Sequence, residues 1–182
     1  MEELLKDRRG NLTLTNINGL CRIALDKLKK TYEQDIQEKN IRIIFDNLTL
    51  SLMMEVNVEQ FSKVLAGILK NSMYALLKKS ETVTFSPEIF LGLKVNKDML
   101  EITIRDNGSG IDENIKDKIF APFFTTKTTG EAAGVGLYLC REIVQNHRGT
   151  IEVESKKGEY TQFLITIPVY QPKTITPPKE EE

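Results

Sequence analysis

Four segments of this 182-residue chain carry side chains or bare backbone suited to holding a phosphorylated ligand with a flat ring. The first is Asn71, in Ile68-Leu69-Lys70-Asn71-Ser72-Met73, where an amide interrupts an apolar helical face. An amide oxygen is a neutral, hard ligand that can join phosphate oxygens around Mg²⁺; taken alone, it reads more simply as a solvent-facing asparagine. The second is Arg105-Asp106-Asn107-Gly108-Ser109-Gly110-Ile111, directly after a strand-like run. A carboxylate there could accept a hydrogen bond from an exocyclic amine, and Gly108 and Gly110 leave the backbone bare for a ring to lie against. An Asp-Asn-Gly turn is also ordinary loop chemistry.

The third segment is Ile119-Phe120-Ala121-Pro122-Phe123-Phe124-Thr125-Thr126-Lys127, an aromatic hinge running into hydroxyls and a cation; two phenylalanines that only fill a core are the plainer alternative. The fourth is Ala132-Ala133-Gly134-Val135-Gly136-Leu137, which runs into a helix. Glycines at a helix start expose N–H groups, and the helix dipole there favours an anion such as phosphate. No GxxxxGK[ST] occurs, so this is not a Walker-type loop. Together the four supply a metal-ligating amide, an amine-reading carboxylate, a hinge and a phosphate-binding helix start, which is the set an adenine nucleotide requires.

These positions must be carried by surrounding elements. Residues 1–9 read as the end of a helix stopped by Gly10 and Asn11. Leu20, Ile23, Ala24, Leu28 and Ile36 fit one face of a helix over 18–37. Strands are expected over 41–45 and 52–56, and a long helix over 58–78 from the spacing of Phe61, Val64, Leu65, Ile68, Leu69, Met73 and Leu76. Paired strands over 89–95 and 100–105 follow, joined at Asn96-Lys97-Asp98. A short helical piece over 113–119, a helix over 135–146 and strands over 150–155 and 161–168 complete the domain. Helices followed by neighbouring strands imply a two-layer α/β sandwich with a mixed, mostly antiparallel sheet, of the α+β class. Residues 171–182 hold three of the six prolines and end in acids, as a linker or tail does.

The formal net charge of −1 gives no field to recruit nucleic acid or an anionic membrane, and no stretch approaches the ~20 apolar residues of a span. Cys21 and Cys140 lack metal-ligand or CxxC spacing and read as buried thiols of a reducing compartment.

The four segments, in this order, resemble the catalytic domain of two-component sensor histidine kinases, within the superfamily shared with gyrase, heat-shock chaperone ATPases and MutL repair proteins. The resemblance runs from Thr15 to Pro168. Asn71 matches the magnesium asparagine of the N box. Asp106, Gly108 and Gly110 match the G1 box, with Ile111 beside them. Phe120, Phe123, Phe124, Thr125, Thr126 and Lys127 match an F box of the nitrogen-regulatory type, and Gly134, Val135, Gly136 and Leu137 a G2 box; Thr161 falls in the final strand.

The resemblance implies a Bergerat ATP-binding fold over residues 15–169, with a flexible ATP lid over about 123–133. Residues 1–14 would then be the tail of an upstream dimerisation and phosphoacceptor helix. It implies ATP and Mg²⁺ as cofactors, Asn71 and Lys127 as catalytic residues, and protein histidine kinase activity on a histidine outside this chain. The expected partners are the helical hairpin bearing that histidine and a cognate response regulator, with no nucleic acid and no membrane contact. The expected location is cytoplasmic, including as the cytosolic part of a membrane-anchored sensor, and the piece is expected to be monomeric. His147, the only histidine, is followed by Arg148 rather than an acid and reads as a helix-end residue. Gly67 stands where hydrolysing relatives place a glutamate that activates water, which favours kinase over ATPase. Ala132 and Tyr160 stand where the family has glycine. An anti-sigma-type protein-serine kinase and a degenerate docking module are the alternatives.

Overall fold

In the computed structural model of the protein, residues 11–124 and 136–169 are described. The elements are β1 (Thr13–Asn16), α1 (Ile17–Thr31), α2 (Glu33–Glu38), β2 (Arg42–Asp46), β3 (Met53–Val56), α3 (Val58–Ser80), β4 (Glu88–Asn96), β5 (Met99–Asp106), α4 (Glu113–Lys116), α5 (Gly136–Asn146), β6 (Thr150–Lys156) and β7 (Tyr160–Pro168). A five-stranded sheet in the order β2-β4-β5-β7-β6 is antiparallel except for the parallel β2–β4 pair. The helices α1, α3 and α5 cover one face of it. The result is the expected two-layer sandwich with a mixed, mostly antiparallel sheet.

Strand periodicity decides which residues face the helices. Leu100, Ile102 and Ile104 of β5 are wholly buried, and Asp106 falls in the same phase. On β7 the buried phase is Thr161, Phe163, Ile165 and Ile167. A carboxylate and a hydroxyl thus occupy core positions at one end of the sheet. Helix α3 lies over them, burying Phe61, Val64, Leu65, Ile68, Leu69, Ser72, Met73 and Leu76 along a single face. It starts at Asn57, whose side chain accepts from the Gln60 N–H.

The structure corrects the reading at three places. The helix expected over 18–37 breaks at Tyr32, whose φ of −114° and ψ of 29° end α1 and begin α2. Ile23, expected on the buried face, is 66 % exposed because the face turned inward is Ile17, Leu20, Cys21, Leu25 and Leu28. Strand β1 was not expected; it begins at Thr13, inside the stretch assigned to an upstream helix, and pairs antiparallel with β3. Alternating threonines suit an extended chain with one wet face. Both cysteines are free and buried, and burial pushes each thiol up to about 12.

The two ends of the helical layer are clipped together by His147. Its Nε2 accepts from the Asn57 N–H at 3.0 Å, and its Nδ1 lies 2.7 Å from the Ile143 carbonyl oxygen. An N–H donated to Nε2 requires that nitrogen to be bare, so the proton sits on Nδ1 and the ring is neutral. The ring also packs edge-on to Phe61 at 5.7 Å. Buried, with both nitrogens engaged, it is a structural residue at a helix end. His147→Phe, which keeps a ring against Phe61 but takes the imidazole acceptor from the Asn57 N–H, should cost about 1–3 kcal/mol in urea denaturation. An unchanged midpoint would refute the clip.

Candidate functional site

Five polar or charged side chains are buried among the described residues: Ser72, Asp106, His147, Ser155 and Thr161. All but His147 meet at the C-terminal end of β5. Asp106 and Thr161 are direct cross-strand partners in the β5–β7 register, so their side chains share the helix-facing side. Ser72 comes down from α3 close enough to help hold the Asp106 carboxylate, without reaching hydrogen-bond geometry. Its Oγ is a buried polar atom with no partner in the protein. Its hydrogen-bonding capacity is therefore left open toward the cluster.

Burial raises the Asp106 carboxyl from the usual carboxylate range to about 6; the Gly108 N–H, the Ser72 hydroxyl and the charge of Lys79 each pull it down, but by less. The Gly108 N–H donates to its Oδ1 at 3.0 Å, which leaves acceptor capacity on the carboxylate for a further donor.

The loop after Asp106 is tied down on both sides. On the α3 side, the Ser109 N–H donates to the Ala75 carbonyl at 3.2 Å, and the Lys79 ammonium donates to the Asn107 carbonyl at 2.8 Å. On the other side, the Gly158 N–H donates to the Ser109 carbonyl at 2.7 Å, and the Ile111 N–H to Ser155 Oγ at 2.8 Å. The glycines make this packing possible. A Cβ on Gly108 would lie 2.7 Å from the Ala75 backbone, and one on Gly110, at φ +65°, would lie 2.2 Å from the Lys156 carbonyl oxygen. Gly67 is a third close approach, since a Cβ there would meet Cys140 Sγ of α5 at 3.2 Å.

Asn71, Ala75 and Lys79 follow one another at i, i+4 and i+8 on α3. Asn71, partly buried, therefore sits one turn, roughly 5.4 Å, along the helix from the residue that grips the loop. Phe120 is buried edge-on to Phe163 at 6.3 Å, and Ile111, Phe124 and Leu137 pack partly buried against the core. Phe123 does not join them: it is 79 % exposed with φ +62°. Gly136 opens α5, as its motif requires, with nothing within 4 Å of where a Cβ would be. Thr125, Thr126, Lys127, Ala132, Ala133, Gly134 and Val135, and most of the expected lid, lie outside the described residues. Tyr160 is on the opposite face of β7 from Thr161, under the Arg105 guanidinium at 4.4 Å and bonded to Glu154, so it does not crowd the cluster.

Residues 57–171 match the family model described as histidine kinase-, DNA gyrase B- and HSP90-like ATPase. The chain belongs to this family. It is 28 % identical over 167 residues to the sensor histidine kinase ZraS of Salmonella typhi, covering 92 % of this chain and 33 % of that protein. The solved catalytic domain of histidine kinase ThkA superposes with a TM-score of 0.72 at 28 % identity, over 88 % of this chain and 97 % of that one. A structure of ThkA in complex with response regulator protein TrrA matches with a TM-score of 0.66 at 26 % identity, over 87 % of this chain and 42 % of that one. The chain spans no more than about a third of the length of the curated relatives it matches. It is an ATP-binding catalytic domain of the histidine-kinase kind, and no described helix is long and apolar enough to cross a membrane.

Sequence reasoning missed Ser72, Ser155 and Lys79, which surround Asp106 and the loop that follows it. Ser72 shares the phase of Leu65, Ile68, Leu69 and Leu76, and Ser155 shares that of Ile151 and Val153. A serine in a buried phase was the available signal.

The raised Asp106 carboxyl makes a stability prediction with a definite sign. Between pH 3.8, the unfolded value, and about 6, the native state holds more protons than the unfolded one. Stability should therefore fall as pH rises through that window, with the full penalty above it. Asp106→Asn should remove the penalty and stabilise the fold by about 2–3 kcal/mol at pH 7.5, with the gain vanishing near pH 4. Denaturant titrations at both pH values test this; a destabilised variant at pH 7.5 would contradict it.

Proposed function

We propose that this domain transfers the γ-phosphoryl group of ATP to a histidine on a dimerisation hairpin outside residues 15–169, in two-component signal transduction. The observation that carries the nucleotide assignment is the buried Asp106 carboxylate, flanked by the orphaned Ser72 hydroxyl and Thr161. A site that keeps an ionised carboxylate out of water at neutral pH has a use for it, and a purine amine supplies the donor it needs. A carbonyl at the same ring position would face lone pairs and be rejected.

The remaining assignments follow from placement. Asn71 would hold Mg²⁺ by its amide oxygen; no cluster of three or more His, Cys, Asp or Glu exists among the described residues, so the other ligands would be phosphate oxygens and water. Magnesium bound there would supply positive charge to phosphate oxygens. Gly134, Val135, Gly136 and Leu137 would offer N–H groups at the start of α5 to the phosphates, with Lys127, Thr125 and Phe124 closing from the lid. Asn71 and Lys127 are the catalytic pair in this reading.

An imidazole nitrogen of the hairpin would attack the γ-phosphorus as the bond to the bridging oxygen breaks. ADP leaves with that electron pair, and the imidazole N–H proton passes to solvent. Gly67 provides no carboxylate to activate water, which favours transfer over hydrolysis. Residues 1–14 would lead from the hairpin, residues 170–182 would form a linker, and a response regulator would take the phosphoryl group onward, as the ThkA complex with TrrA suggests. The setting would be cytosolic.

Two substitutions separate the roles. Asp106→Asn should weaken ATP binding by roughly 10- to 150-fold, the worth of a hydrogen bond to a charged group, in isothermal titration calorimetry. Unchanged affinity would remove the adenine assignment. Asn71→Ala should abolish the gain in affinity that magnesium gives wild type; a gain that survives would place the metal elsewhere.

A further inference from the structure

The Ser155 hydroxyl sits behind the candidate nucleotide site rather than in it, yet three of the site's fixed points converge on it. Its Oγ donates to the Tyr160 carbonyl oxygen at 2.7 Å, accepts from the Ile111 N–H at 2.8 Å, and lies 3.1 Å from Thr161 Oγ1. A hydroxyl has one hydrogen and two lone pairs. With the hydrogen committed to Tyr160, the Thr161 contact has one possible direction: Thr161 donates and Ser155 accepts. All three hydrogen-bonding positions of Ser155 are then filled, and the residue is buried.

This fixes the polarity of Thr161. Its only hydrogen points toward Ser155, so the face it turns toward Asp106 carries lone pairs. Asp106, its cross-strand partner, also presents lone pairs. Two acceptors side by side suit an edge that bears hydrogens, such as an amine with two N–H bonds, and repel a carbonyl. The same serine holds the loop at Ile111, whose preceding residue Gly110 leaves no room to shift against the Lys156 carbonyl oxygen.

We propose that Ser155 is a positioning residue that sets base selectivity: it locks Thr161 as an acceptor toward the ligand and pins the loop that follows Asp106. The proposal rests on the nucleotide reading above and deepens it. Without Ser155, the Thr161 hydroxyl is free to turn its hydrogen into the site and satisfy a carbonyl. Loss of the serine should therefore weaken adenine binding and, at the same time, relax the rejection of hypoxanthine.

The test compares ATP and inosine 5′-triphosphate by calorimetry on wild type, Ser155→Ala and Ser155→Thr of the whole 182-residue chain. Ser155→Ala should weaken ATP binding by about tenfold, the scale of one or two neutral hydrogen bonds, and narrow the ATP-to-inosine ratio by at least as much. Ser155→Thr, which keeps the hydroxyl, should restore the ratio. A purely structural serine would weaken both nucleotides alike and leave the ratio unchanged, and that result overturns the proposal. If Ser155→Ala does not fold, amide hydrogen exchange on wild type decides: Ile111 should be as protected as the β5 core, and fast exchange there would overturn the pin. Wild type that binds neither nucleotide would overturn the nucleotide reading itself, a failure distinct from an unchanged ratio.

Discussion

A carboxylate placed in the buried phase of a strand is the constraint around which this domain is arranged. Asp106 continues the series Leu100, Ile102, Ile104, so the sheet that buries those aliphatic chains buries the acid as well. Leaving an ionised group there without compensation would cost several kcal/mol. The surroundings offset part of it: the Gly108 N–H bonds the carboxylate, Lys79 lies near, and Ser72 adds a hydroxyl. They do not offset all of it, since the carboxyl still sits well above its usual range. A residual penalty of this kind is common where a site must present an unsolvated charge.

Other features serve to hold that acid in place. Gly108 and Gly110 exist so that the loop can press against α3 and the β6–β7 turn at distances no side chain would permit. Lys79 and Ser155 grip the loop from opposite sides. The His147 clip fixes the start of α3 to the end of α5, and Gly67 lets those helices approach, so the helix carrying Asn71 and Ser72 is anchored at a distance from the loop it faces. Four separate elements thereby converge on one carboxylate.

Much of this was legible in the sequence, and where it was not, the reason is physical. Long periodic segments such as α3 and the β4–β5 hairpin declared themselves through spacing, and the family motifs marked Asn71, Asp106 and their glycines. The two-residue turn at Lys97 and Asp98, with Lys97 at φ +54°, fell within the expected Asn96-Lys97-Asp98 stretch. Strand β1 escaped because four residues carry little periodicity and its pairing with β3 is a tertiary event. The break at Tyr32 lacks Gly or Pro to announce it. The packing role of Gly108 and Gly110 was not legible, because a bare backbone looks the same in sequence whether it faces a ligand or a neighbouring strand. Ser72 and Ser155 were visible as serines in apolar phases, but only the folded contacts show what each touches.

The central claim is that Asp106 recognises the exocyclic amine of adenine. Calorimetric titration of the wild-type domain with ATP and with inosine 5′-triphosphate, in magnesium at pH 7.5, tests it most directly, because the two nucleotides differ only at the ring edge where the amine becomes a carbonyl and N1 gains a hydrogen. Loss of a hydrogen bond to a charged acceptor predicts that the inosine nucleotide binds at least about tenfold more weakly. Equal affinities would mean that Asp106 does not read the base, and the account built on its burial would be contradicted.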